Sequence, residues 1–187
     1  MTGARAAASQ RVRESIVAAT VRIVAPEGVG AVTHRRVASE AGVSLSSTTW
    51  HYATKADILA AALHSCARRE ITRIGAIAER LGGGFDLAAW SDALADWLGE
   101  QVTSERATTV ALYRLQAELL GSPVAVDLYR EWSDGLRAVG EPVVAIGDID
   151  IRLVIAALDG LRLSALNEAD LEWLRPAVHR QLGALLG

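Results

Sequence analysis

Residues Thr33 to Lys55 read THRRVASEAGVSLSSTTWHYATK, and the rest of the chain makes most sense as their support. Thr33 is a good helix N-cap, because its hydroxyl accepts from an orphan backbone N–H of the first turn. Val32 before it and Val37 after it occupy the two positions of a hydrophobic staple, which sets the entry angle of the chain. Val37, Ala38 and Ala41 give the short helix one apolar side. Gly42 supplies the positive φ that stops a helix. Val43 plugs the turn, and Ser44 caps a second short helix running to about Trp50. Two short helices joined by a tight glycine turn have the layout of a helix-turn-helix.

Charge supports that reading. Residues 1–60 carry seven basic side chains (Arg5, Arg11, Arg13, Arg22, Arg35, Arg36, Lys55) against four acidic ones. The remainder carries twelve basic and eighteen acidic residues, within a formal net charge of −3 for the whole chain. Positive charge therefore collects in the first third, which suits an anionic partner for that part only. Taken alone, so small a split is as easily chance; joined to the motif it gains weight.

At 187 residues and 51% hydrophobic composition, the chain has ample material for a core. Period-two runs of β-branched residues are absent, and helical periodicity dominates. The single cysteine, Cys66, rules out a disulfide framework and a cysteine-based zinc site. Cys66 falls on an apolar stripe and reads as core. No apolar run approaches a membrane span. Ala6 to Ala8 is too short for the apolar region of a signal peptide, so a cytoplasmic protein is expected.

Nine helices are expected. Residues 1–9 read as a mobile arm. Helix one covers about Gln10 to Ala25, because Pro26 removes an N–H and should end or kink the helix, and Gly28 and Gly30 complete the break. Helix four begins with Thr54 and Asp57 as a capping box. It buries Ile58, Ala62, Cys66, Ile74, Ile77 and Leu81 and ends at Gly82-Gly83-Gly84, the clearest hinge. Helix five spans about Asp86 to Thr103, with Leu87, Trp90, Leu94, Trp97 and Leu98 on one face. Helix six spans about Ser104 to Leu120. Ser122-Pro123 opens helix seven, which Gly140 closes. Asp148 or Asp150 caps helix eight, reaching about Leu166. Asn167 with Asp170 caps helix nine, whose stripe is Leu171, Leu174, Val178, Leu182 and Leu185.

From Ile16 to about Leu63 the sequence resembles the TetR-type transcriptional regulators. The resemblance rests on the long first helix SIVAATVRIVAPEGVGAV, on Thr33, on the VASEAGVS turn, on Thr49-Trp50-His51-Tyr52, and on Lys55 with Ile58-Leu59. Pro26 departs from the family, which usually keeps a helix former there. Beyond residue 65 the likeness is architectural, in helix number and length and in the run Leu158 to Leu161. It implies an all-α dimer that binds double-stranded operator DNA and answers to a small-molecule effector, most simply as a repressor. The implied division is a DNA-binding domain over 1–53 and a ligand-binding and dimerisation domain over 54–187.

The candidate DNA contacts are Thr33, His34, Arg36, Ser44, Leu45, Ser46, Ser47, Thr49, Trp50, His51 and Lys55. Helix N-termini offer free N–H groups to phosphate, and three helix starts (Thr33, Ser44, Thr54) lie close in this motif. Lys55 puts a cation where the helix dipole disfavours one, which makes sense if a phosphate docks there. Thr33 and His51 match family positions that commonly touch the DNA backbone. The blander readings are an exposed lysine and a packed histidine. The second helix lacks Arg, Lys, Asn and Gln, the residues of bidentate base contacts. Thr49 stands where many relatives carry Tyr. Base reading then falls to hydroxyls, to Leu45 against thymine methyls, and to Trp50, with DNA shape carrying more of the specificity.

The remainder presents Trp90, Trp97, Tyr113 and Trp132 as a candidate aromatic lining, with Gln116 as a polar handle. A tryptophan stripe is equally the mark of plain core. Such a lining suits an uncharged or weakly polar, ring-containing effector. Helix eight is apolar nearly all round and carries the small-residue ladder Ala157, Gly160 and Ser164. With Leu174, Val178 and Leu182 it is the candidate dimer interface, as a four-helix bundle. No catalytic constellation, metal-binding spacing or cofactor motif appears. The competing class is a helical small-molecule-binding or catalytic protein with a vestigial helix-turn-helix.

Overall fold

The structure, a computed structural model, describes residues 2–82, 85–140 and 151–186. Among the described residues the chain forms nine α-helices, a 3-10 turn and no strand, as an all-α protein should. In order they are α1 (Thr2–Glu27), the 3-10 turn (Val29–Ala31), α2 (His34–Ala41), α3 (Leu45–His51) and α4 (Lys55–Leu81). Then come α5 (Leu87–Val102), α6 (Arg106–Leu119), α7 (Pro123–Gly140), α8 (Ile151–Ala165) and α9 (Leu174–Leu186). Gly83, Gly84, Asp148 and Asp150, named above as a hinge and as caps, lie outside the described residues. No described helix is long and apolar enough to cross a membrane.

The chain divides into two compact units, Met1–Arg68 with Ala107–Leu128, and Arg69–Arg106 with Tyr129–Gly187. The first holds a mainly apolar core in which the buried polar residues, among those described, are Thr20, Thr48 and Thr109. Ile16, Ile23 and Val24 of α1 meet Val32, Val37, Ile58, Leu59, Ala62 and Cys66, with Leu112 and Leu115 of α6 closing it. Arg114 of α6 donates to the carbonyls of Val24 and Ala25 at 3.0 and 2.8 Å. It thus satisfies acceptors that the end of α1 leaves open, and places a cation at a helix C-terminus. In the second unit α5 packs most extensively on α9, and α8 packs on both. Trp90, Trp97, Leu98, Leu158, Val178 and Leu182 are among its buried residues.

Four expectations need correction. Residues 2–9 are not an arm but the first turns of α1. The side chains of residues 3–9 are almost all exposed, so helix propensity holds them: the stretch is rich in alanine, the best helix former. Pro26 does not end α1, which runs one residue further, to Glu27. A proline in a last turn removes a single bond at an end that frays anyway, and its φ of about −65° is already helical. Gly28, at φ 81°, makes the stop. Helix six starts two residues later than expected. The amide of Glu105 donates to the Glu100 carbonyl at 2.9 Å, and that of Arg106 to Thr103 at 3.2 Å, so Ser104 lies in a turn.

The fourth correction is the largest. Asn167 and Asp170 do not open α9. The Asn167 amide and side chain donate to Ser164 and Leu163 carbonyls at the end of α8, and Asp170 accepts from the Glu172 amide at 2.9 Å in a local turn. Pro176 is the reason. A helix begun at Asn167 would put it in the interior, whereas a start at Leu174 puts it in the first turn, where a missing N–H costs nothing.

Candidate nucleic-acid interface

The helix-turn-helix forms as its residues require. Thr33 is extended and its Oγ1 accepts from the Arg36 amide at 3.1 Å. Val32 and Val37 are fully buried as the staple. Gly42 closes α2 at φ 67°, and the Val43 amide donates to the Ala38 carbonyl at 3.0 Å. Any residue with a Cβ would be strained at that φ. Ser44 Oγ accepts from the Ser47 amide at 3.0 Å. The Thr54 hydroxyl and Asp57 carboxylate complete the capping box in both directions, at 3.1 and 2.8 Å. The Thr54 hydroxyl, and then its N–H, hold the Asp57 carboxyl below its ordinary 3.8.

The second helix shows one face to the core and one to solvent. Thr48 is fully buried. Leu45, Ser46, Thr49 and Trp50 are exposed, Trp50 by 75%, and Ser47 is half-buried. The hydroxyls are already committed as donors or shared: Thr49 Oγ1 donates to the Leu45 and Ser46 carbonyls at 3.2 and 3.1 Å, and Ser44 shares its oxygen with Ser46 and Ser47 at 2.9 and 2.8 Å. Thr49 therefore faces outward as an acceptor, suited to the amino groups of adenine or cytosine in the major groove. The Trp50 ring stands edge-on to His51, with centroids 4.6 Å apart.

Three more of the proposed contacts have partners inside the protein. His34 is half-buried, and its Nε2 donates to the Tyr52 carbonyl at 2.9 Å, pinning the start of α2 to the end of α3. Arg36 pairs with Glu27 at 2.9 Å, both side chains about half exposed. Such a surface pair is worth little and yields readily to a phosphate. His51 Nδ1 accepts from Arg13 Nε at 3.4 Å. That leaves the ring N–H on Nε2, the tautomer that donates to a phosphate oxygen. Partial burial, and then the Arg13 guanidinium, push the imidazole below its ordinary 6.5. Burial raises the neighbouring Tyr52 phenol, with Arg13 opposing. Lys55 is half-buried at the first position of α4.

Two residues counted above only as charge turn out to hold the motif. Arg13 orients His51. Arg22 donates to Glu40 Oε1 at 2.7 Å and to the Glu40 carbonyl at 3.1 Å, clamping α1 to the end of α2. Neither pairing follows a local spacing, so no sequence signal could have announced it.

The other candidate residues are distributed as follows. Trp90 and Trp97 are buried in the second unit, and the Trp90 Nε1 has no hydrogen-bond partner among the described residues. Trp132 is half-buried there and donates from Nε1 to Glu70 Oε2 at 3.0 Å. Tyr113 and Gln116 belong to the first unit, Tyr113 half-buried and Gln116 exposed. On α8, Gly160 and Ser164 are exposed and Ala157 is half-buried. Leu174, Val178 and Leu182 are buried inside the protomer. Periodicity marks an apolar stripe but not which neighbour covers it, and here the same chain does.

Comparison with known proteins agrees with this geometry. A family model described as bacterial regulatory proteins, tetR family, matches residues 16–62. No curated protein matches the chain. Among solved structures, the multidrug binding protein EbrR complexed with imidazole is 32% identical, covering 90% of this chain and 88% of that one, with a TM-score of 0.69. The TetR family member SCO1917 from Streptomyces coelicolor A3 is 28% identical over 94% of this chain and 98% of that one, TM-score 0.75. SCO7518 from Streptomyces coelicolor A3(2), a transcriptional regulator by its description, is 27% identical over the same shares, TM-score 0.74. With the capped helix-turn-helix lying inside the matched residues and the likeness running along nearly the whole chain, this protein belongs to the tetR family of DNA-binding bacterial transcription regulators.

Proposed function

We propose that the protein is a cytoplasmic homodimeric repressor that leaves its operator when a small, mostly apolar, ring-containing effector binds. The observation that carries this is the exposed face of α3: Leu45, Ser46, Thr49 and Trp50 are offered to solvent by a helix whose opposite side is locked in the core. Trp50 at 75% and Leu45 at 44% exposure give that face apolar surface for a partner. In the proposed complex α3 enters the major groove. Thr33, Ser44, His51 and Lys55 hold phosphates, Arg36 exchanges Glu27 for the DNA, and His34 supports the motif from within. DNA binding is assigned to residues 1–53, effector binding and dimerisation to 54–187.

Dimerisation is proposed through α8, whose exposed residues Leu153, Ala156, Gly160 and Leu163 fall at helical spacing on one side. The effector reading draws support from EbrR, whose structures hold imidazole, ethidium, proflavin or malachite green, all ring compounds. Selection of binding sites from random DNA tests the first half. A two-fold palindrome is expected, with half-sites about one helical turn, roughly 34–36 Å, apart or modestly further. A thermal-shift screen followed by operator release tests the second half. Failure to enrich any sequence would overturn the DNA reading, and a screen in which no bound compound releases the operator would overturn the effector reading.

A further inference from the structure

The second helix of the motif reads LSSTTWH, so hydroxyls are its main means of hydrogen bonding to bases. A hydroxyl ordinarily reads any base, since it has one hydrogen to donate and two lone pairs that accept. Where the hydrogen is already committed inside the protein, the hydroxyl meets the groove as an acceptor only. On α3 that condition holds for one exposed hydroxyl and not for its neighbour.

Thr49 Oγ1 lies 3.2 and 3.1 Å from the carbonyls of Leu45 and Ser46. Both are acceptors, so its single hydrogen turns back onto the helix and its lone pairs are left outward. Ser46, exposed and three residues earlier on the same side of the helix, belongs instead to a chain of hydroxyls. Ser44 Oγ accepts from the Ser47 amide at 3.0 Å, which fills one of its two lone pairs. One hydrogen and one lone pair remain for two neighbours, Ser46 Oγ at 2.9 Å and Ser47 Oγ at 2.8 Å. Ser44 therefore donates to one and accepts from the other. When it donates to Ser46, the Ser46 hydrogen is free for a base. When it accepts from Ser46, Ser46 offers lone pairs alone. The two states differ only in the direction of hydroxyl hydrogens, and no heavy atom moves between them.

We propose that Thr49 fixes one base of each half-site as an amino-bearing one, adenine or cytosine, while Ser46 takes any base at the position it faces. This rests on the DNA reading above and deepens it. Guanine and thymine present only acceptors among their polar groups in the major groove. To meet them, Thr49 would have to turn its hydrogen outward and give up both carbonyls. That should cost about two- to tenfold in affinity, the net worth of one hydrogen bond. Ser46 meets donor and acceptor bases equally, because Ser44 adjusts behind it.

The test is binding-site selection with the full-length wild type, Thr49→Val, Thr49→Ser and Ser46→Ala, followed by titration of single-base operator variants. Wild type should prefer adenine or cytosine over guanine or thymine, by about two- to tenfold, at one position of each half-site. Thr49→Val has nearly the same shape without the hydroxyl and should erase that preference and leave the others. Thr49→Ser should keep it. Ser46→Ala should weaken all operators alike and change no preference. Purine in place of the selected adenine, or pyrimidinone in place of the selected cytosine, removes the amino group alone. That change should weaken wild type by about two- to tenfold more than Thr49→Val; the weakened base pair is common to both proteins and cancels. Should Thr49→Val fail to fold by circular dichroism, Thr49→Ala takes its place, alanine being the best helix former. A Thr49→Val protein that keeps every preference overturns the proposal, whether or not it binds more weakly. So does a wild type that chooses guanine or thymine at the position Thr49→Val relaxes, an amino deletion felt equally by both proteins, or a base preference lost in Ser46→Ala. Each of these leaves the DNA reading standing. Enrichment of no sequence overturns the DNA reading and this proposal with it.

Discussion

The two units of this molecule solve the problem of polar groups in opposite ways. In the first, the buried polar residues among those described are the threonines Thr20, Thr48 and Thr109, and charged groups stay at the surface, where Arg22, Arg36 and Arg13 tie helix to helix. In the second, a carboxylate, a guanidinium and an amide are buried together. A DNA-reading helix needs a rigid platform whose exposed face is all that matters. A buried ion pair is a poor choice for a platform, since apolar packing of the same volume is often as stable or more so. Removing one partner of such a pair is nonetheless strongly destabilising, because the other is left buried and uncompensated. The exposed apolar residues divide in the same way. Leu45 and Trp50 of the first unit are exposed on the face proposed to meet DNA, Leu153 and Leu163 of the second on the face proposed to meet another copy.

The sharpest way to break this contrast is to strip one partner from the buried pair. Arg162→Ala leaves Glu70 and Gln101 facing a void. It should cost about 3–5 kcal/mol of stability, read as a fall in the urea midpoint. A loss below about 1 kcal/mol, the worth of a surface pair, would show the centre to be no different from the ion pairs of the first unit.

Gly160→Leu tests the outward face of α8. Among the described residues, its own stretch of helix aside, no atom lies within 4 Å of a Cβ placed there, so there is open space for a larger side chain. Dissociation to monomer in sedimentation, with helicity retained, is expected if a partner helix packs against the glycine. An unchanged dimer would move the interface elsewhere.

Lys55→Ala probes the platform's electrostatics. Binding should weaken alike on all sequences, and the slope of log affinity against log salt should shrink by about one unit per subunit. A changed sequence preference with an unchanged slope would remove Lys55 from the phosphate.

The smallest effect expected is a pH dependence through His51. Free, the imidazole lies below its ordinary 6.5. A phosphate at Nε2 raises it, so binding takes up a proton, and operator affinity should grow as pH falls from 7.5 towards 6. His51→Gln should flatten that trend. The stability of the free protein runs the other way. A group whose folded pKa is depressed binds its proton more readily when unfolded, so the His51 contribution is whole above 6.5 and is lost as pH drops. Affinity and stability that moved together with pH would exclude a phosphate at His51.

What the sequence determined by itself is what short-range chemistry can dictate. A hydroxyl at Thr33, Ser44 or Thr54 finds its amide three residues on, and Gly42 takes a φ that no other residue adopts cheaply. The caps, the turn and the order of nine helices follow from such pairings. Where two local signals competed, sequence reading chose wrongly: Asn167 and Asp170 looked like a cap, and the missing N–H of Pro176 settled where α9 begins. Tertiary structure alone decided everything that depends on residues far apart in the chain. Arg13 meets His51, Arg114 caps α1, Leu174, Val178 and Leu182 turn inward, and Glu70 meets Arg162 across |i−j| = 92. A charged residue within an amphipathic helix reads as solvent-facing until its neighbours are known, because helical periodicity fixes which residues share a side and not what lies opposite.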